Sequence, residues 1–386
     1  MIEEHPSIYL DYAATTPVDE RVLEAMLPYF SGKFGNPSSI HRYGQQAEAA
    51  LEGARQRVAA DLNANMDEVV FTACGTESDN LALRGAAFAR RKQTGANHIL
   101  ISPVEHHAVS QTVEQLAHDF GFEMELLPVD AFGQVQPVDV VRRIRADTAL
   151  VSVVYANNEI GTINPIAEIG QVCRRAGVVF HSDAVQAAAH LKMDMQKSAV
   201  DLLAIGAHKF YGPKGIGALY VRKGTQLLAV ETGGKQEAGL RAGTQNVPYI
   251  MGLAEAFHLA QTGLEERAQH YLPLRNVLIE RVLATVSGSR LTGHPTERLP
   301  NHASFVFEGA DGNRLLMLLD LAGFACSSGS ACKVGNPSPS EVLLALGLPP
   351  RWALGSLRVT LGKDNTLEQI ERFLAVLPAL VEQARK

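Results

Sequence analysis

The chain lacks several features that would place a protein in a membrane or secreted class. No apolar run approaches the ~20 residues that span a bilayer, and the N-terminus has neither a basic segment nor an apolar core. Only 4 cysteines occur in 386 residues, which argues against a disulfide-stabilised secreted domain and indicates a reducing compartment. We therefore expect a cytoplasmic protein with no signal peptide and no membrane partner.

Metal-binding and nucleic-acid-binding patterns are also missing. The spacing from Cys326 to Cys332 matches no common zinc or iron–sulfur pattern, so no metal site is expected. Neither a Walker motif nor a dinucleotide fingerprint occurs. The formal charge of -6 gives no sign of a basic surface, so nucleic acid is not expected as a partner.

Apolar runs of strand length alternate with helical patterns along most of the chain. With 46% hydrophobic residues, the chain can bury a large core. The strand-like runs lie near residues 69–71, 99–102, 150–154, 178–181, 202–205 and 218–221. Their alternation with helices predicts an α/β fold with a mostly parallel, doubly wound sheet.

The pattern changes at about residue 263. A charged helix over 265–287 is followed by strands near 303–307 and 356–361 and by a closing helix over 367–385. The apolar face of the closing helix consists of Ile370, Phe373, Leu374, Leu377 and Leu380. We predict a large domain over 15–262 and a smaller α+β domain made of 1–14 and 263–386.

A lysine follows one of the predicted strands, at the edge where ligands bind in such sheets. Lys209 lies between the run 202–205 and a Gly/Pro loop, where its amine would be partly desolvated and able to form a Schiff base. Asp183 closes the preceding predicted strand, and a buried carboxylate can keep the ring nitrogen of pyridoxal phosphate protonated. Together the two residues predict a site for that cofactor. Alone, Lys209 would be an ordinary solvated lysine and Asp183 a helix cap.

A strand, a glycine turn and a helix start follow one another at residues 69–80. Backbone N–H groups at a helix N-terminus favour an anion, so Gly75 and Thr76 are candidate phosphate ligands. The same sequence would also serve as a plain helix cap. The phosphate interpretation gains weight only beside Lys209 and Asp183.

A Gly/Ser/Pro-rich loop at about 326–340 carries two of the cysteines. Cys332 stands among small residues and just before Lys333, which favours an exposed thiolate nucleophile. Cys74, Cys173 and Cys326 fit the commoner pattern of buried, small hydrophobic residues. We therefore expect a mobile loop with one reactive thiol.

Taken in order, these segments resemble the cysteine desulfurases of the NifS/IscS class, which belong to the class-V aminotransferases of pyridoxal-phosphate fold type I. The resemblance covers nearly the whole chain. The matching segments are YLDYAATTP at 9–17, FGNPSS at 34–39, GTESDN at 75–80, EH at 105–106, NNEIG at 157–161, DAVQ at 183–186, HK at 208–209, RAGT at 241–244 and SSGSAC at 327–332. Enzymes of this family take sulfur from L-cysteine, release L-alanine and hold the sulfur as a persulfide on the loop cysteine.

The resemblance implies roles around pyridoxal 5'-phosphate. Lys209 would carry the cofactor and shuttle a proton, Asp183 would hold the ring-nitrogen proton, and His106 would lie on the ring face. Gln186 would bind the ring oxygen, and Asn158 would orient the ring and the substrate carboxylate. The implied phosphate ligands are Gly75, Thr76, His208 and Thr244, the last from the partner subunit of a homodimer, with Gly206 contributing backbone only.

The resemblance also implies how substrate and acceptor are handled. Arg358 would bind the carboxylate of L-cysteine, because a guanidinium fork matches a carboxylate. Cys332 would attack the substrate sulfur, and the loop would present the persulfide to an acceptor. The implied acceptor is an iron–sulfur scaffold or another sulfur-acceptor protein, for iron–sulfur cluster or thio-cofactor assembly.

Four positions depart from the family pattern, and two alternatives stay open. Gly206 stands where a small side-chain donor is common, Lys235 and Ala238 replace residues that are often glycine and arginine, and Lys333 replaces a small residue. One alternative is another enzyme on the same scaffold, such as a selenocysteine lyase or an aminotransferase. The other is a non-enzymatic scaffold that binds pyridoxal phosphate.

Overall fold

A computed structural model describes residues 7–329 and 338–386. Its helices are α1 Glu20–Met26, α2 Arg42–Leu62, α3 Gly75–Thr94, α4 His107–Phe120, α5 Pro137–Arg143, α6 Ile166–Ala176, α7 Met195–Ser198, α8 Val247–Thr262, α9 Leu264–Thr285, α10 Gly312–Leu321, α11 Glu341–Ala345, α12 Pro350–Ala353 and α13 Leu367–Ala384. Its strands are β1 Ile8–Tyr9, β2 Val69–Thr72, β3 His98–Ile101, β4 Glu123–Leu126, β5 Thr148–Ser152, β6 Val179–Asp183, β7 Leu202–Gly206, β8 Gly217–Val221, β9 Ser289–Leu291, β10 His302–Phe307, β11 Phe324–Ala325 and β12 Ser356–Thr360.

The central sheet has the strand order β2-β8-β7-β6-β5-β3-β4. All of these strands run in the same direction except β8, which is antiparallel to β2 and β7. Successive side chains of a strand point to opposite faces, and here they enter two different cores: Leu100 packs in one, and Ile99 and Ile101 pack in the other. The prediction of a mostly parallel, doubly wound α/β sheet is confirmed.

Strand β4 is not among the strands predicted from apolar runs in the sequence. Its residues Glu123–Leu126 are half-buried to exposed at the sheet edge. The strand forms by parallel pairing with β3, and its two glutamates form ion pairs with Arg143 and Arg145. An edge strand held by pairing and charge leaves no continuous apolar run in the sequence.

The ends of the parallel strands bring the predicted site residues together. β6 ends at Asp183 and pairs with β7, whose end leads directly to Lys209. The loops after β2, β3 and β5 begin at the same edge and lead to Gly75, His106 and Asn158. Ligands bind in open α/β sheets at this carboxyl edge, and the site lies there.

The C-terminal part builds a second core around an antiparallel sheet of order β12-β10-β9. Helix α13 begins at a capping box of Thr366 and Gln369. It buries Ile370, Phe373, Leu374 and Leu377 as the sequence predicts, whereas Leu380 is only partly buried and the buried face continues through Val381 and Ala384.

The N-terminal strand joins this second core. β1 pairs with β11, and Ile8 and Leu10 are buried with the residues of α13. The division into 15–262 and 1–14 with 263–386 stays a prediction, which this distribution of cores supports. Within 7–329 and 338–386, no helix is long and apolar enough to cross a bilayer.

Candidate active site

A cavity of about 300 Å³ lies at the carboxyl edge of the central sheet. It is lined by most of the predicted site residues, namely Gly75, Thr76, His106, Asn158, Asp183, Gln186, His208, Lys209 and Arg358. Gly206 and Thr244 are not among its lining residues. Cys332, the predicted nucleophile, and Lys333 lie outside the described residues.

Lys209 presents a deprotonable amine to this cavity. Its Nζ donates hydrogen bonds to the carbonyl oxygens of Ala13 and Ala14, each at 2.7 Å. Burial, and next the charge of Arg358, lowers the pKa of Lys209 to about 8. The neutral amine, the form that reacts with a carbonyl carbon, is therefore more populated than in an ordinary lysine.

Asp183 is a buried carboxyl group at the end of β6. One carboxylate oxygen accepts the Val185 N–H at 2.8 Å, and no salt bridge to it exists within the described part of the chain. Burial raises the pKa of Asp183, while His106 and Lys209 lower it. A cation in the cavity would stabilise the ionised form, and a protonated pyridine nitrogen is such a cation.

The N-terminus of α3 forms an anion cradle beside it. Gly75 and Thr76 line the cavity, and within the described residues their backbone N–H groups donate to no protein acceptor. A Cβ at Gly75 would come within 2.6 Å of Val185 Cγ2, so any larger residue here would require the Val185 side chain to shift. Free N–H groups at the start of a long helix suit a phosphate.

Two histidines of the cavity are held as neutral rings. His106 is the N-cap of α4, where Nδ1 accepts the Ala108 N–H at 3.1 Å, and desolvation lowers its pKa. His208 contacts the Thr15 hydroxyl at 3.2 Å, and burial, with Lys209 and Lys214, lowers its pKa to about 4. His106 lines the cavity and so is available for stacking on a ligand, and His208 can donate a hydrogen bond without carrying charge.

Arg358 extends from β12 to the opposite wall. It donates from Nη1 to the Asn158 carbonyl at 2.9 Å and from Nη2 to Asp11 at 2.8 Å. The buried Nε has no partner in the part of the chain that the structure describes. Arg358 is thus aligned by two fixed partners and keeps donor capacity for a ligand carboxylate.

Gln186 lines the cavity, and Gly206 lies next to its anion cradle. Gln186 is buried, and its amide donates to the Ala13 carbonyl at 2.8 Å, the same oxygen that Lys209 contacts. A Cβ built at Gly206 would lie 3.5 Å from the Gly75 nitrogen, so Gly206 backs the anion cradle and offers it no side-chain donor.

Thr244 occupies a different place. It is exposed and lines a separate cavity of about 230 Å³ together with Phe71 and Arg241. Within one chain it is therefore separate from the residues that line the cofactor cavity.

The described cysteines differ from the sequence prediction at two positions. Cys173 is buried as predicted, whereas Cys326 is only partly buried: it packs against the second core, and desolvation raises the pKa of its thiol. Cys74 is only partly buried, so the prediction for it is wrong: its sulfur accepts the Glu77 N–H as the N-cap of α3, at the cavity wall. In the described part of the chain, no group of three or more His, Cys, Asp or Glu residues could hold a metal ion.

Two buried acids, Asp79 and Glu105, and the partly buried Asp11 lie near the cavity and have no role in the sequence prediction. Asp79 approaches His181 at 3.3 Å, Glu105 accepts hydrogen bonds from Ser102 and Val154, and Asp11 holds Arg358. Burial raises the pKa of Glu105 to about 8. All three acids lie inside matching segments, but only their tertiary contacts show what they touch.

Comparisons with known proteins agree along the whole chain. The model of the family "Aminotransferase class-V" matches residues 8–373. A cysteine desulfurase IscS of Methanosarcina thermophila is 47% identical over 382 residues, which cover 99% of this chain and 94% of that protein. One from Dictyoglomus turgidum is 45% identical over 378 residues, covering 98% and 95%. The solved structure of a NifS-like protein matches with a TM-score of 0.90 and 36% identity over 98% of this chain and 100% of that chain.

Proposed function

Because the chain belongs to the class-V aminotransferases and, within them, to the pyridoxal-phosphate-dependent cysteine desulfurases, we propose that the cavity around Lys209 converts L-cysteine to L-alanine. The observation that carries this assignment is the meeting of an amine, a buried carboxyl group and a buried guanidinium, those of Lys209, Asp183 and Arg358, in one cavity. The family resemblance seen in the sequence is confirmed, and the residue roles below are our proposal.

The cavity fits pyridoxal phosphate in charge and shape. The free N–H groups of Gly75 and Thr76, with neutral His208, would hold the phosphate, and Asp183 would face the ring nitrogen. His106 would cover the ring, and Asn158 and Gln186 would orient it. When bound, the cofactor withdraws electrons from the Cα of the amino acid, which allows a proton to leave.

Lys209 would handle the proton at Cα. The carbonyl oxygens of Ala13 and Ala14 accept hydrogen bonds from its amine, each at 2.7 Å, and would hold the amine beside the bound substrate. With its pKa lowered by burial, the amine would serve as the base that removes the Cα proton and as the acid that returns it.

Arg358 would bind the substrate carboxylate, and its replacement by lysine tests this. A charged hydrogen bond contributes about 1.5–3 kcal/mol, so we expect Arg358→Lys to raise KM for L-cysteine about 10- to 100-fold with a smaller change in kcat. Steady-state release of L-alanine measures both constants. The exposed Arg281→Lys serves as the matched control, and a KM within twofold of wild type in both variants would contradict the role.

Cys332 would take the sulfur. Ser327, five residues before Cys332, lies next to the substrate-binding arginine. It pairs with Arg358 through backbone hydrogen bonds, one of them 2.7 Å long. We propose that the resulting persulfide passes to an iron–sulfur scaffold or another sulfur-acceptor protein. The described cysteines are free thiols, in keeping with a reducing compartment such as the cytoplasm.

We further propose a homodimer in which Thr244 completes the partner's cofactor site. An exposed apolar surface lies on and between α1 and α2, formed by Leu23, Leu27, Phe30, Phe34, Ile40 and Tyr43. Phe30 contacts Tyr249 of α8, close in sequence to Thr244. Apolar patches of this kind mark interfaces, and we propose that a second copy of the chain binds here.

The double variant Leu27→Asp/Ile40→Asp tests the dimer. Both side chains are exposed, at 55% and 93%, so charges there disturb an interface and not the core. We expect a monomer in analytical ultracentrifugation and weaker retention of the cofactor on dialysis. Met317→Asp/Leu321→Asp, on the exposed face of α10, is the control that should sediment as wild type. A dimer that persists in the first variant would place the interface elsewhere.

A further inference from the structure

A tight turn at 157–161 connects the cofactor cavity with other parts of the site. The buried Asn157 fixes the turn, because its Oδ1 accepts the N–H groups of Glu159 at 2.8 Å and Ile160 at 2.9 Å. Its Nδ2 donates to the Val104 carbonyl at 2.7 Å. The direction of the Glu159 side chain is therefore set by a rigid backbone.

Neighbouring residues of this turn face different partners. Asn158 lines the cofactor cavity and binds Arg358 through its carbonyl oxygen. The Glu159 carboxylate accepts the Ser340 hydroxyl at 2.5 Å. A Cβ at Gly329 would overlap the same carboxylate oxygen, so Gly329 packs directly against Glu159. The described residues on both sides of Cys332 thus meet at one side chain.

Ser327 and Ser340, which lie on either side of Cys332 in the sequence, are each anchored to the rest of the fold. Ser340 is buried, and its hydroxyl also caps α11 by accepting the Leu343 N–H at 3.3 Å. On the other side, the Ser327 hydroxyl donates to Asp11 at 2.7 Å, and Asp11 binds Arg358. Glu159 therefore contacts both Ser340, at the start of α11, and Gly329, two residues after the β-bridge at Ser327.

Burial of the Glu159 carboxylate at this position costs free energy. Burial raises its pKa to about 7, against the smaller opposing effects of Ser340 and Arg358, and Glu341 adds to the rise. Within the described part of the chain no salt bridge compensates the carboxylate. A poorly compensated acid adds little to stability, which favours a role in placing its neighbours.

We propose that Glu159 is a positioning residue for the nucleophile: it fixes Gly329 and Ser340 relative to Arg358, and so sets where the stretch that carries Cys332 starts and ends. This rests on the proposed role of Cys332 and deepens it. Misplacement of a reacting group by about 1 Å costs on the order of 10²-fold in rate, so the effect should fall on sulfur transfer.

The test separates sulfur transfer from chemistry at Cα. In Glu159→Ala we expect persulfide formation on Cys332 in a single turnover, followed by mass spectrometry, to slow about 10- to 100-fold. Exchange of the Cα hydrogen of L-alanine with deuterium oxide needs Lys209 and Arg358 but no thiol, and should stay within about twofold of wild type.

Three controls complete the experiment. Glu159→Gln keeps an oxygen that accepts the Ser340 hydroxyl, and should retain most of the rate. Ser340→Ala should slow sulfur transfer as Glu159→Ala does, and the double variant should be no slower, because both remove one contact. Glu341→Ala, which removes a neighbouring acid, should match wild type.

The outcomes are distinct. Wild-type persulfide formation in Glu159→Ala overturns the inference, and so does a parallel loss of alanine exchange, which would place Glu159 in the cofactor site. If Cys332→Ala itself still released sulfide at the wild-type rate, the role of Cys332 would fail instead.

Discussion

Replacing Lys209 with alanine is expected to reduce release of L-alanine from L-cysteine by about 10³- to 10⁴-fold, since it removes the group that both carries the cofactor and moves the proton. Lys209 is the lysine whose side chain lines the cavity in the described structure, and burial has already lowered its pKa to about 8. Alanine release under saturating pyridoxal phosphate is the measurement.

The nearby Lys214 gives the matched control. It is exposed and lies outside the cavity, so Lys214→Ala should keep wild-type activity and wild-type cofactor absorbance. Activity above a tenth of wild type in Lys209→Ala would show that another amine supports the reaction.

Replacing Cys332 with alanine should abolish persulfide and sulfide release, by about 10³-fold or more, while the cofactor stays bound and alanine exchange continues. The two halves of the reaction separate in this way because Arg358, Asp183 and Lys209, the groups proposed for the chemistry at Cα, line one cavity, whereas the proposed role of Cys332 is limited to the sulfur atom. Persulfide detection by mass spectrometry after a single turnover is the direct readout.

Cys74 makes the informative control for this prediction. Its sulfur lies at the cavity wall, where it caps α3, and a serine could keep the cap. We expect Cys74→Ser to retain persulfide formation. If Cys74→Ser loses the persulfide and Cys332→Ala keeps it, the thiol in the cavity is the nucleophile.

The two alternative functions make different products. An aminotransferase would convert an amino acid to an oxo acid and leave the thiol of Cys332 unmodified. A non-enzymatic scaffold would bind pyridoxal phosphate and form no L-alanine. The comparisons support the desulfurase, since the relatives named above carry that activity in their names and cover nearly the whole chain.

The position of the site could be predicted because it depends on strand ends. Asp183 and Lys209 follow neighbouring parallel strands, and apolar runs in the sequence mark where those strands stop. Gly75 could be predicted from a similar pattern, a glycine between a strand and a helix, once Lys209 and Asp183 had indicated the cofactor. These residues share one property: their place follows from local pattern plus the rule that ligands bind at the carboxyl edge.

The supporting contacts could not be predicted, because they join distant parts of the chain. Asp11 meets Arg358 only because β1 pairs with β11 and the following residues run beside β12. Glu159 meets Ser340 for a similar reason, across the two halves of the fold. Neither pairing leaves a periodicity or a spacing that marks it. The exposure of Cys74 likewise depends on where the start of α3 lies against the cavity.

Reduction of the purified holoenzyme with borohydride, followed by peptide mass mapping, is the most direct test of the proposed site. Borohydride fixes the bond between pyridoxal phosphate and its lysine, so the modified peptide identifies the residue. We predict one modified peptide, with the adduct on Lys209. An adduct on Lys214 or any other lysine, or no adduct on a protein that still turns over L-cysteine, would contradict it.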